Sequence, residues 1–194
     1  PKWFVVDSKE KNYELIQNKI KKFFGYPCII KPNDQGSTVG LTVCRGDSEV
    51  KEAVILALKY SEHALIEEYI DGYELTVAVF NNHCFPPLQI KPKKGLYDYE
   101  SKYTQGMSEY EVPANFPEEV LNHLKHQALL AFNAVGAKTY ARVDFRLNKK
   151  HESYCLEVNT LPGMTGTSLV PKMAKAVGIE FEELIDRIVK LSLE

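Results

Sequence analysis

Residues Tyr140 to Leu147 and Ser153 to Thr160 alternate apolar and polar side chains on either side of a polar turn, Asn148 to Ser153. Two such runs bury their apolar sides together only as a β-hairpin. The turn is centred between Lys150 and His151, so the simplest register pairs residues whose numbers sum to 301. Val143 then faces Val158, Phe145 faces Leu156 and Leu147 faces Tyr154, which makes one face wholly apolar. The other face carries Arg142 opposite Asn159 and Asp144 opposite Glu157. Two carboxylates directly across a pair repel, at a cost of up to ~1 kcal/mol, unless something cationic sits between them. Asp, Glu and Asn offer only hard oxygens, the ligand set of Mg²⁺ or Mn²⁺. The alternative is a solvated face on which Arg142 and Arg146 neutralise the acids.

The rest of the chain reads as helices mixed with mostly antiparallel strands. Helices are expected from Ser8 to Phe24, where Leu15, Ile16, Ile20 and Phe23 recur at helical spacing, and from a cap at Asp47 or Ser48 to Ser61. Further helices are expected from Pro117 to Val135, Pro171 to Val177 and Glu180 to Leu193. Strands are expected at Cys28 to Pro32, Leu41 to Cys44, Ala64 to Ile70, Glu74 to Phe80 and Cys84 to Ile90, with turns at Asp71-Gly72 and Asn81-Asn82. The run from Lys91 to Glu111 has no sustained period and reads as a long loop, of the kind that carries function. The class is α+β in two lobes, a central lobe over 1–90 and a C-terminal lobe over 91–194, the break lying near Pro86 to Pro92.

Composition removes several classes. The 194 residues are 44% hydrophobic and 26% charged with a net charge of -2, an ordinary soluble globular balance with no basic excess for binding nucleic acid. The longest aliphatic run, Ala53 to Leu58, is far short of the ~20 residues that span a bilayer, so no membrane partner is expected. Cys28, Cys44, Cys84 and Cys155 are widely spaced and read as reduced core thiols, which points to the cytoplasm. The chain opens Pro1-Lys2-Trp3 without a methionine and is expected to be a piece of a longer one.

Three further segments carry chemistry-bearing residues. Lys31 precedes a loop, Asn33 to Gly40, in which Gly36 and Gly40 permit close backbone approach and Ser37 and Thr38 add hydroxyls, a composition able to cradle phosphate. The spacing is not that of a P-loop, and a ligand-free hairpin tip is the alternative. In Glu67-Glu68-Tyr69-Ile70-Asp71-Gly72-Tyr73-Glu74, charged residues interrupt an apolar strand, either to receive ribose hydroxyls or to sit in water. Tyr97-Asp98-Tyr99-Glu100-Ser101-Lys102-Tyr103 is a dense aromatic and charged run inside the long loop, read alone as a surface loop packed by its own tyrosines.

Taken in order, these segments, with Arg142-Val-Asp-Phe and Leu156-Glu-Val-Asn-Thr-Leu-Pro-Gly-Met-Thr, closely resemble the D-alanine:D-alanine ligases of the ATP-grasp superfamily over almost the whole chain. The resemblance implies two ATP-grasp lobes with the nucleotide between them. It implies that Lys31 contacts ATP, that the loop around Ser37 and Thr38 closes over the phosphates, that main chain at Glu67, Glu68, Tyr69 and Ile70 reads adenine, and that Glu74 takes the ribose. Asp144, Glu157 and Asn159 would hold two Mg²⁺ or Mn²⁺ ions. Lys102 would meet the transferred phosphate, and Tyr103 would line the substrate pocket beside Ser37. Arg142 and the Gly163 N–H would stabilise the tetrahedral oxyanion, and Ser168 and Leu169 would receive the carboxylate of the second D-alanine.

The same resemblance implies joining of two D-alanines through an acyl phosphate, for peptidoglycan precursor synthesis, and a homodimer in the full-length form. It also implies an N-terminal domain and one further phosphate-binding lysine that this sequence lacks. Two readings follow: the catalytic part of an ATP-dependent ligase, or a nucleotide-binding module of that fold that does not ligate alone. A ligase of the D-alanine:D-lactate type is the further alternative, although Tyr103 favours an amine as second substrate.

Overall fold

The structure, a computed structural model, describes residues 1–92 and 108–193, in two units. The first, residues 1–70, contains β1 (Trp3–Asp7), α1 (Tyr13–Phe23), β2 (Cys28–Pro32), β3 (Thr42–Cys44), α2 (Asp47–Leu58) and β4 (His63–Glu68). Its antiparallel sheet has the order β1-β4-β2-β3. Phe4, Val6, Cys28, Ile30, Cys44, Ala64 and Ile66 share one core with Ile16 and Ile20 of α1 and Val50, Ala53, Val54 and Ala57 of α2. Strand alternation then puts Ile29, Lys31, Leu65 and Glu67 on the opposite face.

The helix expected from Ser8 begins at Tyr13. The residues before it form β1, which sets Phe4 opposite Ile66 and Val6 opposite Ala64, and the cap is Asn12, whose Oδ1 accepts the Leu15 N–H at 3.0 Å. Gly25, at φ +80°, ends the helix by donating to the Ile20 carbonyl at 2.8 Å. Gly46 occupies the cap of α2, because the Asp47 carboxylate is taken by the Lys21 amine and the Tyr26 hydroxyl.

The second unit begins at Asp71 and contains β5 (Gly72–Phe80), β6 (His83–Cys84), β7 (Leu88–Pro92), β8 (Ser108–Glu111), α3 (Glu118–Ala134), β9 (Tyr140–Asn148), β10 (Ser153–Asn159), α4 (Leu169–Lys175) and α5 (Phe181–Ser192). Its sheet has the order β10-β9-β5-β7-β8, again antiparallel. Leu75, Val77 and Val79 of β5 and Ala141, Val143, Phe145 and Leu147 of β9 form its core with Leu124, Ala128 and Phe132 of α3.

The class is α+β, as expected, but the division falls between Ile70 and Asp71 rather than near Pro86 to Pro92. Strand β5 pairs with β9 along its whole length, from Gly72 opposite Asn148 to Phe80 opposite Tyr140. That long-range ladder, which a local sequence pattern does not reveal, carries 71–92 into the second sheet. The strand expected from Cys84 to Ile90 is interrupted at Pro86-Pro87, where ladder donors are missing. Both ends of the expected 91–111 loop are strand, with Gln89 opposite Glu111 and a Lys91–Glu111 ion pair at 2.8 Å. Asn81 and Asn82, at φ +47° and +60°, make the expected two-residue turn into β6.

Not all four cysteines are core thiols. Cys28 and Cys44 are buried opposite one another, Cys84 is half-buried, and Cys155 is exposed. Burial pushes the Cys28 thiol up to about 12 and raises that of Cys44. Burial of the sulfur and the nearby Asp144 carboxylate raise Cys155 as well, so its reaction should be slow. Titration with an aromatic disulfide reagent should nevertheless modify Cys155 first, and Cys28 and Cys44 only once the chain unfolds. Early modification of Cys28 would contradict their burial. No helix among the described residues is long and apolar enough to cross a membrane.

Candidate active site

The hairpin of β9 and β10 runs in two registers. At the tip, Ser153 faces Leu147, Tyr154 faces Arg146 and Cys155 faces Phe145, one residue off the expected pairing. The turn holds three residues, not an even number. The Asn148 N–H bonds to the Glu152 carbonyl at 3.0 Å, and His151 takes the left-handed conformation at φ +63° that such a loop needs. Leu156 is then an extra residue in a β-bulge. Beyond it the expected register holds: Glu157 faces Asp144, Val158 faces Val143 and Asn159 faces Arg142. Continued without the bulge, the tip register would turn Glu157 and Asn159 onto the face of Val143 and Phe145. The bulge returns them to the face of Asp144.

On that face the side chains are in contact. Arg142 forks onto Asp144, Nε to Oδ1 at 2.9 Å and Nη2 to Oδ2 at 2.7 Å. The Asn159 amide donates to Asp144 Oδ2 at 3.0 Å and to Glu157 Oε1 at 3.3 Å. Thr76, fully buried on β5 opposite Asp144, donates its hydroxyl to Oδ1 at 2.6 Å, with the Val143 carbonyl 3.2 Å away. Sequence reasoning missed Thr76, although Glu74 and Thr76 stand two apart, the period of one strand face.

Glu74 lies opposite Arg146, with Nη1 at 3.5 Å from Oε2. Arg146 Nη2 also donates to the Gly72 carbonyl at 3.0 Å. Both arginines therefore neutralise acids, as the solvated-face alternative supposes, while each carboxylate remains at the surface of the sheet. Among the described residues no three His, Cys, Asp or Glu side chains are grouped to hold a metal ion. A hard cation on this face needs Asn159 as third ligand, and the amide must turn over to present its oxygen. Two carboxylates and an amide oxygen on one face fit Mg²⁺ or Mn²⁺.

Gly163 and Ser168 are neighbours: a Cβ at Gly163 would lie 3.1 Å from Ser168 Oγ. Ser168 precedes α4 as its cap. Its Oγ accepts the Thr165 N–H at 3.0 Å, and its own N–H goes to the Thr165 carbonyl at 3.0 Å. Leu169 opens the helix with a buried side chain. Lys172 ties the turn to the helix by donating to the Thr167 carbonyl at 2.7 Å.

In the first unit Lys31 pairs with Glu67 at 2.5 Å, and Glu67 is buried despite its charge. The pair lies on the sheet face away from the helices. In the loop after β2, Ser37 and Thr38 stand at φ +55° and +65°, and the Thr38 hydroxyl is buried without a hydrogen-bond partner among the described residues. An orphaned hydroxyl in a left-handed loop suits a ligand rather than a packed turn. Glu68 and Tyr69 are half-buried and Ile70 is buried at the end of β4. Lys102 and Tyr103 lie outside the described residues.

A family model described as "D-ala D-ala ligase C-terminus" matches residues 1–190. The D-alanine--D-alanine ligase of Desulforamulus reducens is 39% identical over 200 residues, spanning 100% of this chain and 64% of that protein. The crystal structure of the Bacillus anthracis D-alanine--D-alanine ligase complexed with ATP is similar with a TM-score of 0.83 at 29% identity, covering 100% of this chain and 60% of that one. The VanG D-Ala:D-Ser ligase of Enterococcus faecalis gives a TM-score of 0.85 at 30% identity, covering 98% and 56%. This chain thus spans less than two thirds of the length of these proteins. With its carboxylate-bearing hairpin and its matched residues, the chain belongs to the family of D-alanine–D-alanine ligase C-terminal domains.

Proposed function

We propose that this chain is the nucleotide- and second-substrate-handling part of an ATP-dependent ligase that joins two D-alanines for peptidoglycan precursor synthesis. The observation that carries the reading is the single face on which Arg142, Asp144, Glu157 and Asn159 meet. ATP would phosphorylate the carboxylate of the first D-alanine, giving an acyl phosphate and ADP. The amine of the second would attack the acyl carbon, and inorganic phosphate would leave. The protein's work is to position the reactants and to answer negative charge.

Asp144, Glu157 and Asn159 would hold two Mg²⁺ or Mn²⁺ ions, which when bound would supply positive charge to neutralise the phosphates. Lys31 would contact ATP, with Glu67 holding its amine in place. Ser37 and Thr38 would close over the phosphates, Thr38 through its orphaned hydroxyl. Main chain from Glu67 to Ile70 would read adenine, and Glu74, braced by Arg146, would take the ribose. Arg142 and the Gly163 N–H would meet the oxyanion, and Ser168 and Leu169 the second carboxylate. Lys102 and Tyr103 keep the roles that the family resemblance implies, phosphate contact and substrate pocket. The cytoplasm suits a reaction that consumes ATP.

A second reading is that these residues form a nucleotide-binding module that does not ligate by itself; they match 64% of the length of the Desulforamulus reducens ligase. Phosphate release, measured with and without D-alanine and with and without the N-terminal domain of a relative added in trans, tests both. The expected result is little release by the chain alone and D-alanine-dependent release when the domain is supplied. Robust D-alanyl-D-alanine synthesis by the 194 residues alone would overturn the second reading. No release under any condition would overturn the first. D-Serine or D-lactate in place of the second D-alanine would show the acceptor class.

A further inference from the structure

We propose that Thr76 is a positioning residue for cation binding. It would never touch the ion, but it fixes which oxygen of Asp144 the ion can reach. The inference rests on the metal reading of Asp144, Glu157 and Asn159 given above. A carboxylate has about four lone-pair sites. Among the described residues four donors meet Asp144: Thr76 Oγ1 and Arg142 Nε at Oδ1, and Arg142 Nη2 and Asn159 Nδ2 at Oδ2. A cation entering must displace one of them. Thr76 is fully buried, with its backbone paired to β9, and its single hydroxyl proton lies on the shortest of the four contacts, 2.6 Å. Arg142 approaches both oxygens in a planar fork, so releasing one arm tilts the other. Asn159 is the donor that can leave at least cost, because turning its amide replaces a donor with an oxygen suited to the same ion. Oδ2 is therefore the oxygen yielded to the cation, and the hydroxyl of Thr76 keeps Oδ1 from competing for it.

Without that hydroxyl the Asp144 carboxylate can rotate about its last torsion, which is broad for a group of this type. The ion would then meet a mixture of orientations. Partners that orient a ligand without touching the metal typically set its affinity by about 10- to 100-fold.

The test is Mn²⁺ binding by the 194-residue chain in the presence of ADP, read by electron paramagnetic resonance of the unbound ion, in wild type and in Thr76→Val, Thr76→Ala, Thr76→Ser and Glu157→Gln. Thr76→Val keeps shape and branching and removes only the proton donor. It and Thr76→Ala are expected to bind Mn²⁺ about 10- to 100-fold more weakly, and Thr76→Ser within roughly threefold of wild type. Wild-type affinity in a folded Thr76→Val or Thr76→Ala overturns the proposal and leaves the metal reading standing. Loss of cooperative unfolding in both, with Thr76→Ser intact, assigns the hydroxyl to the sheet and overturns it too. Failure of wild type to bind, or unchanged binding in Glu157→Gln, overturns the metal reading and the proposal with it.

Discussion

Glu157→Gln is expected to weaken Mg²⁺-dependent ATP binding by roughly 100-fold or more, beyond what loss of an outer partner of a ligand costs, while the chain stays folded. Glu157 is exposed on the last strand of its sheet, opposite Asp144, and among the described residues its side chain accepts a hydrogen bond only from the Asn159 amide, at 3.3 Å. Removing one of two facing carboxylates relieves repulsion rather than breaking a contact, so the unfolding free energy should move by less than about 0.5 kcal/mol. Calorimetric titration of Mg-ATP, with thermal unfolding of the same sample, measures both. Unchanged affinity and stoichiometry would remove Glu157 from the metal site. A large fall in stability with binding lost would instead mean that the residue holds the hairpin together.

Gly72→Ala should have the largest effect on stability, about 4 kcal/mol or more. Gly72 stands at φ +143°, a conformation that L side chains rarely adopt, and a Cβ there would lie 2.1 Å from the Leu147 carbonyl oxygen and 2.9 Å from the Cα of Asn148. Both obstacles are backbone of β9, so no rotamer change relieves them. Gly72 begins the ladder that joins β5 to β9, and its carbonyl receives Arg146, the partner of Glu74. Nucleotide affinity should therefore fall even in the fraction that remains folded. Urea unfolding of the chain gives the stability change. A loss below about 1 kcal/mol would mean that β9 can back away and that the close approach is not required.

Much of the site was legible because it follows strand period. Arg142 and Asp144, and Glu157 and Asn159, stand two apart within their strands, and the apolar residues between them make the two faces distinct without any knowledge of the fold. Caps and turns such as Gly25 and Asn81-Asn82 were legible for a similar reason, since the conformations they adopt exclude most other residues. The recurrence of several motifs in one order carried the family resemblance further than any of them did alone.

What stayed hidden depends on groups far apart in the chain or on counts that the pattern does not reveal. Whether a turn holds two, three or four residues decides which side chains pair, and only the left-handed His151 and the bulge at Leu156 show how the tip and the site keep different registers. The placement of 71–92 in the second sheet, the starting point of the first helix after β1, and the exposure of Cys155 on the last strand all follow from which strand lies beside which. Thr76 is the clearest case. A threonine inside an apolar strand reads as an ordinary β-branched residue, and it becomes a partner of Asp144 because a nine-residue ladder sets the two opposite each other and excludes the water that would otherwise satisfy its hydroxyl.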